Sequence, residues 1–343
     1  MPGMRSFLAA VGRRLASALP AVAGVVVVTF VLMRVLPGDP ASLLASSPTA
    51  GEAEVAEIRG RLGLDKSIPT QFLIYLEGLA RGDLGRSVMT GQPVAADLAQ
   101  RLPASLELVV TAFALALVTA LPLGVMAALR PGSVLDHAVR LVATLGVAVP
   151  TFVTGLLLVY VFYYLLGWAP DPTGRLDIFL TPPEPVTGLL LVDATLAGNG
   201  AAVRSAAGHL VLPAVTLALF VMAPLLRITR TSMLGVMGSD FIRAARAAGL
   251  SRWRVVAVYG LGNALLPVLT ASGLVVSMML GASVLVETVF AWPGIASYSV
   301  DAMMAGDFAA VQGFVLLMAG IYVVVNLAID LLYGVLDPRV RLA

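Results

Sequence analysis

Six apolar stretches, each long enough to cross a bilayer as a helix, constrain this chain more than any other feature. They lie near residues 15–36, 104–129, 137–166, 209–229, 264–286 and 309–334. A helix needs about 20 mostly apolar residues to span the hydrocarbon layer. Within that layer every backbone N–H and C=O must be satisfied by protein. The pattern therefore predicts an all-α membrane protein with six transmembrane helices. Composition agrees, since 59% of the 343 residues are hydrophobic and 12% are charged, against about 25% charge in a soluble domain. Prolines inside the stretches, Pro122, Pro150, Pro213 and Pro267 among them, are expected as kinks and not breaks, because neighbouring helices can re-satisfy the freed backbone groups. They are also candidate hinge or path positions.

Arginine sets the orientation. Lys66 is the chain's one lysine, so nearly all positive charge is arginine. With six spans and both ends on one side, that side receives Arg5, Arg13, Arg14, Arg130, Arg140, Arg227, Arg230, Arg243, Arg246, Arg252, Arg254, Arg339 and Arg341, opposed by Asp136, Asp240 and Asp337. The opposite side holds an acidic excess that includes Asp39, Glu52, Asp171, Glu184, Asp301 and Asp307. Positive charge gathers on the cytoplasmic side, so both termini are expected there. Arg13-Arg14 precede an apolar run of about 20 residues, longer than the core of a signal peptide, and the first stretch is expected to stay as a span.

Two outer loops are long. Residues 37–102 carry helical patterns at Glu52–Leu62 and again after Ser67, where Ile68, Phe72, Leu76 and Leu79 recur at helical spacing behind Pro69. A small helical extracytoplasmic subdomain is expected there. The chain then divides into residues 1–36 (N-terminal segment and first span), 37–102 (outer subdomain) and 103–343 (five-helix core). Residues 167–208 are rich in proline and glycine, and the apolar patch Leu189–Val192 is too short to span, so it is expected as a re-entrant or surface segment.

The inner loop between the fourth and fifth stretches reads Ser239-Asp240-Phe241-Ile242-Arg243-Ala244-Ala245-Arg246-Ala247-Ala248-Gly249-Leu250 and continues to Arg254. Alanine and arginine favour helix, Ser239 or Asp240 can cap its start, and Gly249 can end it in the left-handed conformation. A short cationic helix over about 239–254 is expected. Two readings stand side by side. Small alanines let another protein approach the backbone while arginines supply donors at the rim, or the arginines serve topology and anionic lipid alone.

Several chemistries are excluded or disfavoured. There is no cysteine, and His137 and His209 are the two histidines, too few for a metal cluster, so no metal site and no catalytic residue are assigned. A phosphate-cradling loop needs Gly-x-x-x-x-Gly-Lys-Ser/Thr. Lys66-Ser67 finds Gly60 in place but Asp65 where the second glycine belongs. Ion-coupled carriers keep ionisable groups at mid-membrane, and the span centres here are nearly free of charge. Glu287, Asp301 and Asp307 are expected as acidic groups solvated at an outer rim. Asn326 and Asp330, one turn apart on the sixth stretch, are expected as an interhelical polar contact.

The run Arg243 to Gly249, followed by Asn263-Ala264-Leu265-Leu266-Pro267, resembles the cytoplasmic coupling signature of binding-protein-dependent ABC importer permeases. Arg243 stands where the wider family has glutamate. That departure is typical of the dipeptide/oligopeptide/nickel branch, and Gly235 stands where many relatives have glutamate. The rest of the chain is similar to that branch in order: Pro37-Gly38-Asp39-Pro40, Gly82-Asp83-Leu84-Gly85-Arg86-Ser87, Arg101-Leu102-Pro103-Ala104-Ser105, Glu287-Thr288-Val289-Phe290 with Trp292-Pro293-Gly294, and Asp337-Pro338-Arg339-Val340-Arg341. The resemblance implies a six-span importer permease of the bacterial cytoplasmic membrane, the first of a pair of homologous permease subunits. It implies as partners the second permease, one or two nucleotide-binding ATPase subunits that hold ATP and Mg, an external solute-binding protein and membrane lipid. No cofactor in this chain and no nucleic acid are implied. Arg243, Ala244, Ala245, Arg246, Ala247, Ala248, Gly249 and Leu250 would couple to the ATPase. The substrate class implied is di- and oligopeptides, with nickel chelate or another small solute as the alternative.

Overall fold

The structure is a computed structural model and describes residues 4–35, 56, 59–60 and 65–336; the Glu52–Leu62 pattern therefore falls largely outside the described residues. Among those residues the chain is helical and has no strand, with one isolated antiparallel bridge between Arg86 and Pro93. The elements are α1 (Met4–Val35), α2 (Ile68–Ala80), α3 (Val94–Leu129), α4 (Val134–Ala148), α5 (Thr151–Leu158, continued as a π-helix over Val159–Leu165), α6 (Leu190–Leu196), α7 (Gly200–Met237), α8 (Asp240–Ala247), α9 (Arg252–Val289), α10 (Ile295–Met304) and α11 (Phe308–Leu336).

Five helices among the described residues are long and apolar enough to cross a membrane: α1, α3, α7, α9 and α11. The third expected span is different. It falls into α4 and α5, which bend by 108° across Val149 and Pro150. Pro150 breaks this helix, whereas α3 runs through Pro122, α7 through Pro213 and Pro224, and α9 through Pro267. The difference is local. Val149 is extended (φ −91°, ψ 125°), the conformation a following proline imposes, so the helix must restart after Pro150. Counting the bent pair as one crossing gives six.

The core is the pair α3–α7, closed by α9. On α3 the buried positions Ala112, Ala116, Ala120 and Gly124 repeat every fourth residue, a stripe of small side chains along one face. Small residues are what let membrane helices approach without a hydrophobic driving force between them. At Gly124 the approach is closest, since an added Cβ would lie 2.8 Å from the Cβ of Thr229. α4 lies against the inner half of α7, and Asp136 at its start takes a bidentate pair from Arg230 at 2.5 and 2.9 Å. Ser133 caps α4 and Asn199 caps α7, each accepting from a backbone N–H three residues on. α1 packs on α11, where Gln312 donates to the Thr29 carbonyl at 3.4 Å.

Three further expectations are adjusted. The fifth apolar helix starts at Arg252, so residues 252–254 belong to α9, and the short helix of this loop is α8 alone. Of the apolar patch, Leu190–Val192 opens α6, a short helix with Asp193 and Ala194 buried, and Leu189 is its N-cap. α3 begins at Val94 and is continuous across residue 103. On the outer side Phe30 of α1 meets Phe72 edge-on at 4.9 Å between ring centroids and stacks with Tyr75 at 5.7 Å, which fixes α2 to the first span.

The close approach at Gly124 is testable. Gly124→Leu is expected to lower stability by ~1–3 kcal/mol, seen as a lower thermal unfolding midpoint in detergent. Gly281→Leu, at a position where an added Cβ meets nothing within 4 Å, is expected to leave it unchanged.

Candidate functional site

The short helix α8 is built to present one face. Ile242 and Ala245 are buried with Val255, against Val236 and Met237 at the inner end of α7. Phe241, Arg243, Ala244, Arg246, Ala247 and Ala248 face solvent. Ala245 is thus an anchor and not part of the presented surface, and Leu250 is half-buried in the same small core. Ser239 sits at the N-cap, but its hydroxyl donates back to the Val236 carbonyl at 2.6 Å. Asp240 pairs with Arg243 on the exposed side.

The end of α8 is determined by Gly249. Its φ is +76°, its N–H donates to Arg246 O at 3.0 Å, and the Leu250 N–H donates to Ala245 O at 3.3 Å. These are the two bonds of a Schellman motif, which needs a left-handed residue at this position. Nothing lies within 4 Å of an added Cβ. Glycine is therefore required by backbone conformation and not by space. The chain then turns into the π-helical segment Val255–Leu261 of α9. There an added Cβ at Gly260 would lie 2.8 Å from Met233 Cε of α7. Any movement of α8 thus reaches the inner ends of α7 and α9 together. A cavity of about 450 Å³ opens beside it, with Arg246 and Arg252 in its wall.

The side of the bundle away from α8 carries a second set of polar groups, which the sequence pattern did not reveal. Glu287 and Asp307 are fully buried, not solvated at a rim as expected; Asp301 is exposed. Glu287 accepts from Ser105 Oγ at 2.6 Å and from the Ala296 and Ser297 N–H groups at 2.9 Å each. It thereby closes the start of α10 and ties it to α3 and α9. Removing a carboxylate from water costs several kcal/mol, which these three hydrogen bonds offset in part. Gly294 makes room for this: a Cβ there would lie 2.3 Å from both Glu287 Oε2 and Ser105 Oγ.

The same arrangement recurs. Asp307 accepts from Ser87 Oγ at 2.5 Å and from Ala310 N at 3.1 Å, closing the start of α11. Asp97 accepts from Thr90 Oγ1 at 2.5 Å and Tyr298 Oη at 3.0 Å. Burial and the Asp97 carboxylate push the Tyr298 hydroxyl up to about 12. Glu107 pairs with Arg175 at 2.5 Å, and the Arg175 guanidinium lies 5.6 Å from the Trp292 ring. Asp193 accepts from Thr187 N at 2.8 Å, Thr187 Oγ1 at 2.7 Å and Gly188 N at 2.9 Å. Burial pushes this carboxyl up, but the hydrogen bonds prevail and hold it below the usual carboxylate range.

The remaining sequence candidates are dispersed. Asn326 donates to the Tyr322 carbonyl of its own helix at 2.8 Å, while the side chain of Asp330 lies outside the described residues. Pro122, Pro213 and Pro267 sit within continuous helices, and Pro150 alone of the four marks a bend. No group of three or more His, Cys, Asp or Glu able to hold a metal occurs among the described residues.

With this geometry in place, similarity to known proteins is informative. The family described as "Binding-protein-dependent transport system inner membrane component" matches residues 120–342, and its N-terminal companion, "Binding-prot-dependent transport system membrane comp, N-term", matches residues 4–109. A probable D,D-dipeptide transport system permease protein of Escherichia coli (strain K12) is 46% identical over 319 residues, covering 93% of each chain. A di/tripeptide transport system permease protein of Pseudomonas aeruginosa (strain UCBPP-PA14) is 42% identical, covering 98% of this chain and 99% of that one. The dipeptide transport system permease protein of Escherichia coli (strain K12) is 40% identical over 96% of this chain and 97% of its own. Among solved structures, the MetNI methionine ABC transporter in inward-facing conformations matches with a TM-score of 0.51 at 18% identity, covering 70% of this chain and 96% of that one. That likeness bears on the fold alone.

These buried carboxylates give three expected outcomes. Glu287→Ala leaves the start of α10 and Ser105 without their acceptor and is expected to cost about 2–5 kcal/mol of stability, read as a lower unfolding midpoint. For Asp193 the folded carboxyl lies below its unfolded value, so its contribution is complete above the ordinary carboxylate range near pH 4 and is lost as pH falls through the lowered value. Amide exchange protection of Thr187–Asp193 should follow that course. Asp193→Asn should lower the protection at neutral pH.

Proposed function

Because this chain belongs to the family of binding-protein-dependent transport system inner membrane components, we propose that it acts as one of two permease subunits of a peptide importer and takes its drive through α8. The chain is a permease subunit of an ABC peptide importer and a multi-pass protein of the bacterial inner membrane, in keeping with relatives at 40–46% identity over nearly their whole length. The observation that carries the finer reading is the geometry of α8. Ile242 and Ala245 anchor it to α7 and α9, and a smooth cationic face of Phe241, Ala244, Ala247, Ala248, Arg243 and Arg246 is turned outward.

Such a face fits a groove on another protein better than a lipid surface. An arginine-rich segment that only meets lipid needs neither a buried anchor nor a glycine-terminated end. In this reading a nucleotide-binding ATPase subunit receives α8 and binds ATP and Mg. A homologous second permease completes the path, and an external solute-binding protein delivers di- or oligopeptides. ATP closes the ATPase dimer, the two α8 helices approach, and the helices attached to them rock the path open outward. Hydrolysis returns it. The second to fifth crossings of both permeases line the path.

Gly249→Val is the direct test. A β-branched residue at φ +76° is strained, so the last turn of α8 must rearrange. Peptide uptake by the reconstituted complex is expected to fall at least about tenfold, as for a loss of about 1.4 kcal/mol or more in coupling, while ATP hydrolysis and membrane insertion persist. Unchanged uptake would remove α8 from the docking role. Orientation has its own test, because the chain has no cysteine. Ala244→Cys is expected to react with an impermeant maleimide from the cytoplasmic face alone, and Phe179→Cys from the outer face alone.

A further inference from the structure

The break at Pro150 leaves an open helix start level with the middle of α7. α5 begins at Thr151 beside Leu219 and Phe220, which lie at the middle of α7 (Gly200–Met237). Pro150 occupies the N-cap and has no side chain that accepts a hydrogen bond. The N–H groups of Thr151, Phe152 and Val153 have no acceptor among the described residues; the first bond of the turn is Thr154 N to Pro150 O at 3.1 Å. Several other helix starts are closed by side chains, Ser133 on α4, Asn199 on α7, Glu287 on α10 and Asp307 on α11.

A second observation points into the same space. A cavity of about 260 Å³ lies at the break, walled by apolar groups such as Val142, Leu145, Leu219 and Phe220, and its two side-chain hydroxyls are those of Thr151 and Thr154. Thr151 is 7% exposed and its hydroxyl has no hydrogen-bond partner among the described residues. Several hydroxyls in the spans turn back on their own helices, as Thr119 does to Leu115 O at 2.7 Å, Thr216 to Leu212 O at 2.7 Å and Ser272 to Val268 O at 2.9 Å. Those of Thr151 and Thr154 do not.

Orphan N–H groups at this depth are costly against lipid, so the face must open to water or protein. A helix start carries about half a positive charge, and its free N–H groups form a site for an anion. The cavity, about 260 Å³, has room for a carboxylate. We propose that the first turn of α5, with the hydroxyls of Thr151 and Thr154, is a carboxylate-binding station midway along the path, which takes the C-terminal carboxylate of a passing peptide. This rests on the peptide-permease reading above. The carboxylate is the one anionic group every peptide shares, so the site holds substrates without reading their side chains. Its lack of any full positive charge keeps the hold weak enough for release.

The test uses the complete complex in proteoliposomes, with binding protein saturated by one dipeptide in two forms, free acid and C-terminal amide. Thr151→Asp places a carboxylate in the station. Uptake of the acid is expected to fall about three- to tenfold relative to wild type, while uptake of the amide holds. The binding protein is the same throughout, so its own preference cancels in the ratio. Thr151→Ser is expected to transport both forms as wild type does. An equal fall for both forms marks a structural role and overturns the proposal, as does no change in either. A direct measurement stands beside these. Thr151→Cys, the chain's sole cysteine, is expected to react with an anionic thiol reagent, and peptide acid delivered by the binding protein should slow that reaction. Absence of slowing overturns the site. If the wild-type complex moves neither peptide, the peptide reading itself fails, a result distinct from an unchanged acid-to-amide ratio.

Discussion

The requirement that backbone N–H and C=O groups be satisfied without water governs where polar residues stand in this chain. Helix interiors meet it by themselves, so the demand falls on helix ends. At the outer side the ends are closed by buried carboxylates: Glu287 over the start of α10 and Asp307 over that of α11. At the inner side Asp136 joins the start of α4 to Arg230 of α7, and Gly249 closes α8 by backbone bonds alone. Each closure also joins elements far apart in sequence. Ser105 and Glu287 are 182 residues apart, and Ser87 and Asp307 are 220 apart. The same bonds that satisfy helix ends therefore fix the bundle.

This explains why some features were legible in the sequence and others were not. Crossings were legible because a hydrocarbon layer imposes one length and one polarity on any helix within it. The helical character of residues 240–247 and the role of Gly249 were legible because capping chemistry is local, set by residues within one turn. The fate of Glu287 and Asp307 was not, since their partners Ser105 and Ser87 lie on other elements and no spacing rule connects them. Solvated acids and buried capping acids look alike in a sequence.

Pro150 shows the limit from another side. Pro122, Pro213, Pro224 and Pro267 all occur in apolar runs as Pro150 does, yet α3, α7 and α9 continue through them. What differs is the packing around each. α4 is held along the inner half of α7 by the Asp136–Arg230 pair and by Gly146, whose added Cβ would meet Leu219 O at 3.2 Å. α5 is held instead against Thr216 and Phe290, which approach an added Cβ at Gly155 to 3.4 and 3.3 Å. Two separately fixed halves leave the bend to the residue pair that is already biased to an extended conformation.

The mechanical consequence follows from the same contacts. α8 is packed on the last turn of α7 through Val236 and Met237, and α7 carries Arg230, which holds Asp136 at the foot of α4. A displacement of α8 thus acts on α7 directly and on α4 through an ion pair 1% exposed on its acidic side. α5, beyond the break, is fixed to the outer end of α9 through Val289 and Phe290 rather than to the inner end of α7. The two halves of the broken crossing therefore answer to different parts of the bundle.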